Sequence, residues 1–326
     1  MFNKILLLPC FFFIFSCSQV EVQTSLPIKQ QRYTTAVVKA AALSNDGAYA
    51  VIADNSQVCV WNNATNKKAL PCISGQEAEF IELVGISGNN KVFFTSNQII
   101  TRLYQRSNGQ KIHEWSAGEN IINDIAISDN GQLMLLGYRS GQAGIFNVLN
   151  NKLSTFTNHR LDINAVALSA DGQLALTGSS DKTAVLWQSQ TGEKIQTFDH
   201  RTRVNHVDMN SDGTLGFTLD SVNDRRIWQL KTHTELSELQ TSIKFIEVNS
   251  STFSADNQLM LSGSPKQKIQ LWQTKDGELI GEWLSFKDPS RTRSSVLATA
   301  FLANNKIATI SSDGMYELFE FTLPKQ

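Results

Sequence analysis

A repeat that runs along the whole sequence limits what this chain can fold into. Seven apolar runs each end in an aromatic residue, and successive aromatics are 41 to 47 residues apart. A unit repeated at such a period is one supersecondary structure that buries its apolar face by stacking on its neighbours. The marker aromatics are Trp61, Tyr104, Phe146, Trp187, Trp228, Trp272 and Phe319.

Tight turns divide each unit into four short strands. A turn that ends in Gly or Asn lies 14 or 15 residues before each aromatic, and a second turn follows six of the aromatics. Gly and Asn best tolerate the positive φ that tight hairpins require. Four antiparallel strands per unit at this period predict an all-β, seven-bladed β-propeller. The first turns end at Gly47, Asn90, Gly131, Gly172, Gly213, Asn257 and Asn305, and the second turns lie at Asn66, Gly109, Asn151, Gly192, His233 and Gly277.

These units resemble WD40 repeats, from about residue 26 to the C-terminus. The Trp-Asp dipeptide of that family is absent, because Asn, Gln or Glu follows each aromatic. Thr309 and Asp313 stand at matching places in the seventh unit, which lacks the His. Only the fourth unit keeps the hydrogen-bonding set that, by resemblance, locks a blade, namely His159, Thr177, Asp181 and Trp187.

The last unit ends after its third strand, which leaves an open sheet edge. The segment "SLPIKQQRY", residues 25–33, precedes the first complete unit where the other units have their fourth strand. The sequence therefore predicts that residues 26–32 pair beside residues 315–322 and close the ring. The propeller is predicted to span residues 26–326 and to be a monomeric ring.

The N-terminus has the layout of an export signal. Lys4 precedes an apolar run that is too short to span a membrane, and small residues follow it. Residues 14–17, "IFSC", resemble the lipobox of bacterial lipoproteins, although Phe15 stands where a small residue is usual. The resemblance implies a signal peptide at residues 1–16, lipidation of Cys17, and a tether at residues 17–25. An ordinary cleaved signal and an uncleaved anchor are the alternatives.

Ser18 after the Cys resembles the pattern of lipoproteins sent to the outer membrane of Gram-negative bacteria. The protein is therefore expected to face the periplasm. Two further cysteines, Cys59 and Cys72, remain in that oxidising compartment. Their numbers place them opposite each other in the hairpin of the third and fourth strands of the first unit, which predicts a disulfide. The alternative is two small buried thiols kept apart by a bulge.

No motif in the sequence indicates catalysis, a cofactor or a metal site. Of the five histidines only His206, in a first strand, is placed to line the central channel, and spacing assigns it no partner. The formal net charge of −1 excludes a global field that attracts nucleic acid. The sequence favours a non-enzymatic, membrane-tethered protein-interaction platform. The alternative is a catalytic or cofactor-binding propeller with its site in the central channel.

Arginine is concentrated on one predicted face of the ring. The loops that lead into each first strand and those that join second to third strands share one face, here called the arginine face, and carry eight of the eleven arginines. Arginine is enriched in protein interfaces, although charged loops are also common on solvated surfaces. We expect an acidic protein partner there, anchored by the "RTR" triplets at 201–203 and 291–293. The predicted partner-binding residues are Arg160, Arg201, Arg203, Arg225, Arg226, Arg291 and Arg293.

Overall fold

The computed structural model describes residues 22–78, 80–222, 224–241 and 246–323. The predicted signal peptide and lipidation site, residues 1–17, lie outside the described residues. Besides strands, these ranges contain one 3-10 helix, Gly75–Ala78. No helix in them is long and apolar enough to cross a membrane.

The described residues form seven antiparallel sheets. Their strands in chain order are β1 (Lys29–Arg32), β2 (Val38–Leu43), β3 (Tyr49–Asp54), β4 (Gln57–Asn62), β5 (Lys67–Lys68), β6 (Ile73–Ser74), β7 (Leu83–Ile86), β8 (Val92–Ser96), β9 (Ile100–Gln105), β10 (Lys111–Ser116), β11 (Ile122–Ile127), β12 (Leu133–Tyr138), β13 (Gln142–Asn147), β14 (Lys152–Thr157), β15 (Ile163–Leu168), β16 (Leu174–Ser179), β17 (Thr183–Gln188), β18 (Lys194–Asp199), β19 (Val204–Met209), β20 (Leu215–Asp220), β21 (Arg225–Gln229), β22 (Thr234–Glu238), β23 (Ser250–Phe253), β24 (Leu259–Gly263), β25 (Lys268–Gln273), β26 (Leu279–Leu284), β27 (Val296–Leu302), β28 (Lys306–Ser311) and β29 (Met315–Glu320).

Each sheet is one blade of a closed ring, as the repeat predicts. The first strand of each blade contacts that of the next blade, and β27 contacts β2. The seven-bladed all-β propeller is therefore confirmed. Blade 1 comprises β2–β6, blade 2 β7–β10, blade 3 β11–β14, blade 4 β15–β18, blade 5 β19–β22, blade 6 β23–β26, and blade 7 β27–β29 with β1.

Burial explains the apolar runs that mark the repeat. The second and third strands of a blade are covered on both faces by neighbouring blades, so β16 and β17 are buried almost throughout. The fourth strands alternate between exposed and partly buried positions, as in β14. Six of the seven marker aromatics are at least nine-tenths buried, whereas Trp61 is half-buried and stacks on Tyr33 with ring centroids 4.4 Å apart.

The turns have the predicted backbone. All seven residues that end the first turns have positive φ, from 52° at Asn305 to 74° at Gly172. The second turns behave in the same way, and His233, the one departure from Gly or Asn, also has a positive φ of 58°. Position in the hairpin therefore decides the backbone conformation, at some conformational cost for His.

A bulge in the first strands links neighbouring blades. In β11 and β15 the register shifts after the first residue, at Asn123 and Asn164. The Asn123 amide donates a 2.8 Å hydrogen bond to the carbonyl of Ile163, and the Asn164 amide donates one of 2.8 Å to the carbonyl of Val204. The extra residue thus turns its side chain toward the next blade.

The N-terminal strand closes the ring, as predicted. In β1, Lys29 lies opposite Leu318 of β29 and Arg32 lies opposite Met315. The Gln30 amide donates a 2.8 Å hydrogen bond to the buried Glu317 carboxylate. The edge of blade 7 is therefore covered by residues from the opposite end of the chain.

The chain before β1 also contacts blade 6. Gln23 forms a parallel bridge with Gly281, and its N–H donates to the Ile280 carbonyl at 3.0 Å. The Trp283 indole N–H donates to the Ser25 hydroxyl at 3.0 Å. From residue 23 onward, the segment predicted to be a tether thus lies against the ring.

Cys59 and Cys72 are joined in the structure, with Cα atoms 4.4 Å apart. The hairpin at Thr65 and Asn66 sets Trp61 opposite Lys68. If that register continued unchanged, Cys72 would not lie opposite Cys59. Between β5 and β6 the outer strand gains two residues, so that Val58 lies opposite Ile73. This irregularity, at Ala69 to Pro71, brings Cys72 opposite Cys59.

The ring closure predicts a loss of stability when β1 is removed. Deletion of residues 18–32 exposes the edge of β29 and leaves Glu317 without the Gln30 amide. We expect Tm to fall by about 5 °C or more, since each kcal/mol lost from the free energy of unfolding lowers Tm by roughly 2–4 °C in a domain of about 150–250 residues. Deletion of residues 18–22, which keeps β1, is the matched control. A Tm equal to that of wild type after the longer deletion contradicts the closure.

The disulfide predicts that Cys59 and Cys72 are unreactive toward thiol reagents in the unreduced mature protein, even after denaturation. Changing both to Ala should lower the free energy of unfolding by about 3 kcal/mol, the chain-entropy value for a loop of this length. Thiol titration and denaturant unfolding measure the two effects. Two reactive thiols before reduction refute the bond.

Candidate functional site

The loops that carry most of the arginines do share one face. In blade 4 the N–H of Ser180, between the second and third strands, donates to the carbonyl of Asp162, in the loop before the first strand, at 2.9 Å. In blade 5 the N–H of Ser221 donates to the carbonyl of Arg203 at 3.0 Å. Backbone hydrogen bonds thus hold the two loop types of the arginine face together.

Four of the seven predicted binding arginines are exposed. Arg160, Arg201, Arg203 and Arg293 lie in the loops before the first strands of blades 4, 5 and 7. The Arg201 side chain is 80% exposed, and its Nε lies 3.9 Å from the Asp224 carboxylate. The Arg203 Nε donates to the Ser221 hydroxyl at 2.9 Å. These guanidinium groups are accessible to a partner.

Arg291 is occupied inside the fold. It forms an ion pair with Asp313, whose side chain is 1% exposed, and it donates to the carbonyls of Ser312 and Thr35 at 2.9 and 3.0 Å. A buried carboxylate left without its cation costs several kcal/mol. Arg291 therefore serves blade 7 in the structure, although its neighbour Arg293 is exposed.

Arg225 and Arg226 are also held by internal contacts. The Arg225 Nε donates to the Leu239 carbonyl at 2.7 Å. The Arg226 Nη2 lies 3.2 Å from the Asp224 carboxylate, and its guanidinium lies 5.6 Å from the Trp228 ring centroid. These two residues stabilise blade 5 and are only partly accessible.

Exposed apolar side chains lie on the same face as the exposed arginines. Phe80 is 79% exposed and has a φ of 58°, which is unusual for a bulky residue. Its loop leads into β7. Four other exposed apolar residues lie in loops of the arginine face, namely Val37, Ile99, Leu161 and Val222.

The blade-4 set implied by the resemblance is assembled around His159. Its Nε2 lies 2.8 Å from the Thr177 hydroxyl, and its Nδ1 lies 3.2 Å from the Asp181 carboxylate. Burial lowers the pKa of His159, although the nearby Asp181 opposes that shift. The Trp187 indole N–H has no partner among the described residues, so Trp187 contributes by packing and not by a hydrogen bond.

Blade 5 has a related set that the sequence analysis missed. His200, Thr218 and Trp228 repeat the blade-4 positions at a spacing of 41 residues, and the Trp228 indole donates to the Thr218 hydroxyl at 2.7 Å. The acidic residue that corresponds to Asp181 is Asp224, two residues later than this spacing predicts. Its carboxylate lies 3.8 Å from the His200 Nδ1. The three repeated positions were the signal that could have revealed the set.

His200, Asp220 and Asp224 also place possible metal-ligand atoms within 4.8 Å of one another. However, Asp220 already accepts hydrogen bonds from Thr202, Val222 and Asp224. The Arg226 guanidinium occupies one side of Asp224. A cation is thus already supplied by the chain, and these groups are explained as a structural cluster.

The central channel brings His206 into a polar chain. The His206 Nε2 lies 2.8 Å from the Ser251 hydroxyl, which donates to the Asp208 carboxylate at 2.8 Å. In a catalytic triad the His lies between the Ser and the acid and accepts the Ser proton. Here the Ser lies in the middle, and burial lowers the pKa of His206 to about 4. The order of the three groups, with Ser251 between His206 and Asp208, does not support nucleophilic catalysis.

Comparison with known proteins identifies the repeat. The family model described as "WD domain, G-beta repeat" matches residues 150–188, which contain β14 to β17 and the set around His159. No curated protein matches the chain. WD40 propellers are typically non-enzymatic scaffolds that bind protein partners. The match to one unit, together with the ring of seven four-stranded sheets, shows that the chain is a WD40-repeat β-propeller.

Proposed function

We propose that this propeller is a lipid-anchored platform facing the periplasm, which binds an acidic protein partner on its arginine face. The observation that carries the proposal is the combination of exposed guanidinium groups and exposed apolar side chains on that face. Arg160, Arg201, Arg203 and Arg293 supply bidentate donors for carboxylates. Phe80 and Leu161 supply apolar area of the kind found at the centre of interfaces.

The contacts beneath the face make it a rigid surface. Arg225, Arg226 and Arg291 bind carbonyls and carboxylates inside the blades and hold the loops that present their exposed neighbours. A partner therefore meets loops that need little further ordering, which reduces the entropic cost of binding. On this proposal the "RTR" triplet at 291–293 contributes Arg293 as the contact and Arg291 as its support.

The opposite face, formed by the turns between first and second strands and between third and fourth strands, has a different character. Its polar groups hydrogen-bond to each other across blades, as in the 2.8 Å contact between the Asn90 amide and the Asp46 carboxylate. Among the described residues, Leu149 is the one exposed large apolar side chain in its turns. We call it the turn face, and its turns carry fewer exposed large apolar side chains than the loops of the arginine face.

The tether sets how far the ring can lie from the membrane. Gln23 is hydrogen-bonded to blade 6, and five residues separate Cys17 from it. Each residue spans at most about 3.6 Å, so lipidation at Cys17 keeps the point where Gln23 contacts blade 6 within roughly 20 Å of the lipid surface. The proposed anchor on the outer membrane of a Gram-negative bacterium would thus limit the orientations that the ring can adopt.

Charge reversal on the arginine face tests the partner site. Arg160, Arg201, Arg203 and Arg293 are changed together to Glu, and Arg291 is kept because Asp313 depends on it. After crosslinking in cells and affinity purification, we expect recovery of the partner to fall by about tenfold or more, since repulsion replaces attraction at the interface. Mass spectrometry identifies the partner, and the purified pair is then tested directly.

A matched control makes the same change in charge on the turn face. Lys67, Lys152, Lys231 and Lys275 are all exposed and lie beside the turns between third and fourth strands. Their change to Glu should leave partner recovery unaltered. If the arginine variant, with an unchanged Tm, recovers the partner as wild type does, the binding site is not on the arginine face.

The anchor is tested by changing Cys17 to Ala. A lipid-modified Cys17 predicts that the variant leaves the membrane fraction or remains unprocessed. Cell fractionation and intact mass give the result, and Cys10→Ala is the control within the predicted signal peptide. Unchanged mass and unchanged membrane partition of C17A would refute lipidation.

A further inference from the structure

A depression of about 520 Å³ lies at the outer edge of the ring, where the N-terminal segment contacts blades 6 and 7. Side chains from residues 22–28 line one side of it, and residues 320–322, at the end of β29, line the other. The Phe321 N–H donates to the carbonyl of Asn305, in the turn between the first and second strands of blade 7, at 2.9 Å. Because that turn belongs to the turn face, the depression lies on the side of the ring away from the arginine face.

Exposed apolar side chains are concentrated in this depression. Val22, Leu26 and Ile28 line it and are 38%, 87% and 51% exposed, and Leu26 is the most exposed large apolar residue in the described part of the chain. Glu320 is the one charged side chain among its described lining residues. Single exposed apolar residues are ordinary on protein surfaces, whereas a cluster of them marks contact with a protein or a membrane. We call Val22, Leu26 and Ile28 the tether patch.

Backbone groups beneath the tether patch already have partners in the ring. The Gln23 N–H donates to the Ile280 carbonyl at 3.0 Å, and the Glu282 N–H donates to the Gln23 carbonyl at 2.9 Å. The Ile28 N–H donates to the Leu318 carbonyl at 2.8 Å. These bonds persist when the surface loses its water, so these backbone groups add little to the cost of placing the patch in an apolar medium.

The tether patch begins where the proposed anchor ends. Four residues separate Cys17 from Val22, so a lipidated Cys17 keeps Val22 within about 18 Å of the lipid surface, at about 3.6 Å per residue. Pro27 follows Leu26 and restricts the backbone of both residues, which holds the Leu26 side chain in a stiff segment. A short tether gives the attached surface an effective concentration in the millimolar range. Weak insertion of the patch is then sufficient to hold the ring against the bilayer.

The make-up of the depression suits the boundary between lipid headgroups and acyl chains. Apolar side chains at such a surface enter about 5–10 Å below the headgroups. Glu320 is exposed at the edge of the chain's last strand, where a carboxylate can remain at the level of the headgroups. Contact at this edge also directs the arginine face away from the bilayer, because the depression lies toward the turn face.

We propose that the tether patch inserts into the surface of the phospholipid bilayer and thereby sets the orientation of the ring. The turn-face side of blades 6 and 7 lies toward the lipid, and Leu26 and Ile28 make most of the contact. This inference rests on the proposed anchor at Cys17 and adds to it a second contact, made by the protein itself. The arginine face is then presented to partners in the periplasm.

Quenching of tryptophan fluorescence by brominated lipid tests the contact. The mature chain from residue 17 is coupled through the Cys17 thiol to dibromo-phosphatidylcholine vesicles that carry a maleimide lipid, and Cys59 and Cys72 do not compete because they are joined. Leu26→Trp places a reporter in the patch, and Leu149→Trp places one at a 72% exposed site in a turn of blade 3. Relative to unbrominated vesicles, we expect the indole added at position 26 to lose about half of its emission or more. The indole added at position 149 should lose none.

Variants show whether the tether patch makes the contact. Leu323→Trp is the reporter here, because it follows directly on the last lining residue of the depression. Leu26→Ser with Ile28→Thr should lower the quenching of this reporter by about twofold or more, since the loss of exposed apolar area weakens insertion. Leu149→Ser with Leu161→Thr removes side chains that are 72% and 52% exposed and should have no effect. If the first pair does not fold, Leu26→Ser alone replaces it.

Three results overturn the proposal. They are quenching at position 26 no greater than at position 149, unchanged quenching at position 323 in the patch variant, and quenching at position 26 that requires anionic phosphatidylglycerol in the vesicles. The last result assigns the contact to charged groups elsewhere on the ring. A dimer of the uncoupled chain that the patch variant dissociates, without quenching at position 26, assigns the patch to a second copy and also overturns the proposal. Because the anchor is coupled chemically, a failure of lipidation in cells does not alter this test, and the two proposals can fail separately.

Discussion

The pairing of β1 with β29 is the contact on which the ring depends. Each blade buries its apolar faces against two neighbours, so a gap at one place exposes two blades and an open sheet edge. Glu317 is central to this contact, because its buried carboxylate accepts hydrogen bonds from Gln30, Ser285 and the Phe286 N–H. One side chain thus joins the N-terminal strand, blade 7 and the end of blade 6.

Burial divides the arginines into two groups with different roles. A guanidinium beside a buried carboxylate, as in Arg291 with Asp313, maintains the fold, because its removal leaves a buried charge without a partner. A guanidinium exposed to water, as in Arg293, contributes little to stability and is available to a partner. The proposed function rests on the second group, and the first group holds the loops that present it.

The two ends of the channel differ in charge. The arginine face presents exposed cations, whereas a cavity in the channel, toward the turn face, is lined by Asp129 and Asp208. The chain's net charge of −1 conceals this separation.

The sequence by itself determined the repeat and the turns, because strand period and turn backbone are local properties of residues such as Gly172 and Asn305. It also indicated the closure, because the last unit lacks a fourth strand and residues 25–33 offer one. Tertiary structure alone decided which arginines are exposed, because Arg291 and Asp313 are 22 residues apart and meet only in the folded loops. It also placed Ser251 between His206 and Asp208, and Asp224 beside His200, through contacts between blades or a displaced loop residue that no spacing in the sequence indicates. Local backbone preference can be read along a chain, whereas burial and charge pairing depend on neighbours that only the closed ring brings together.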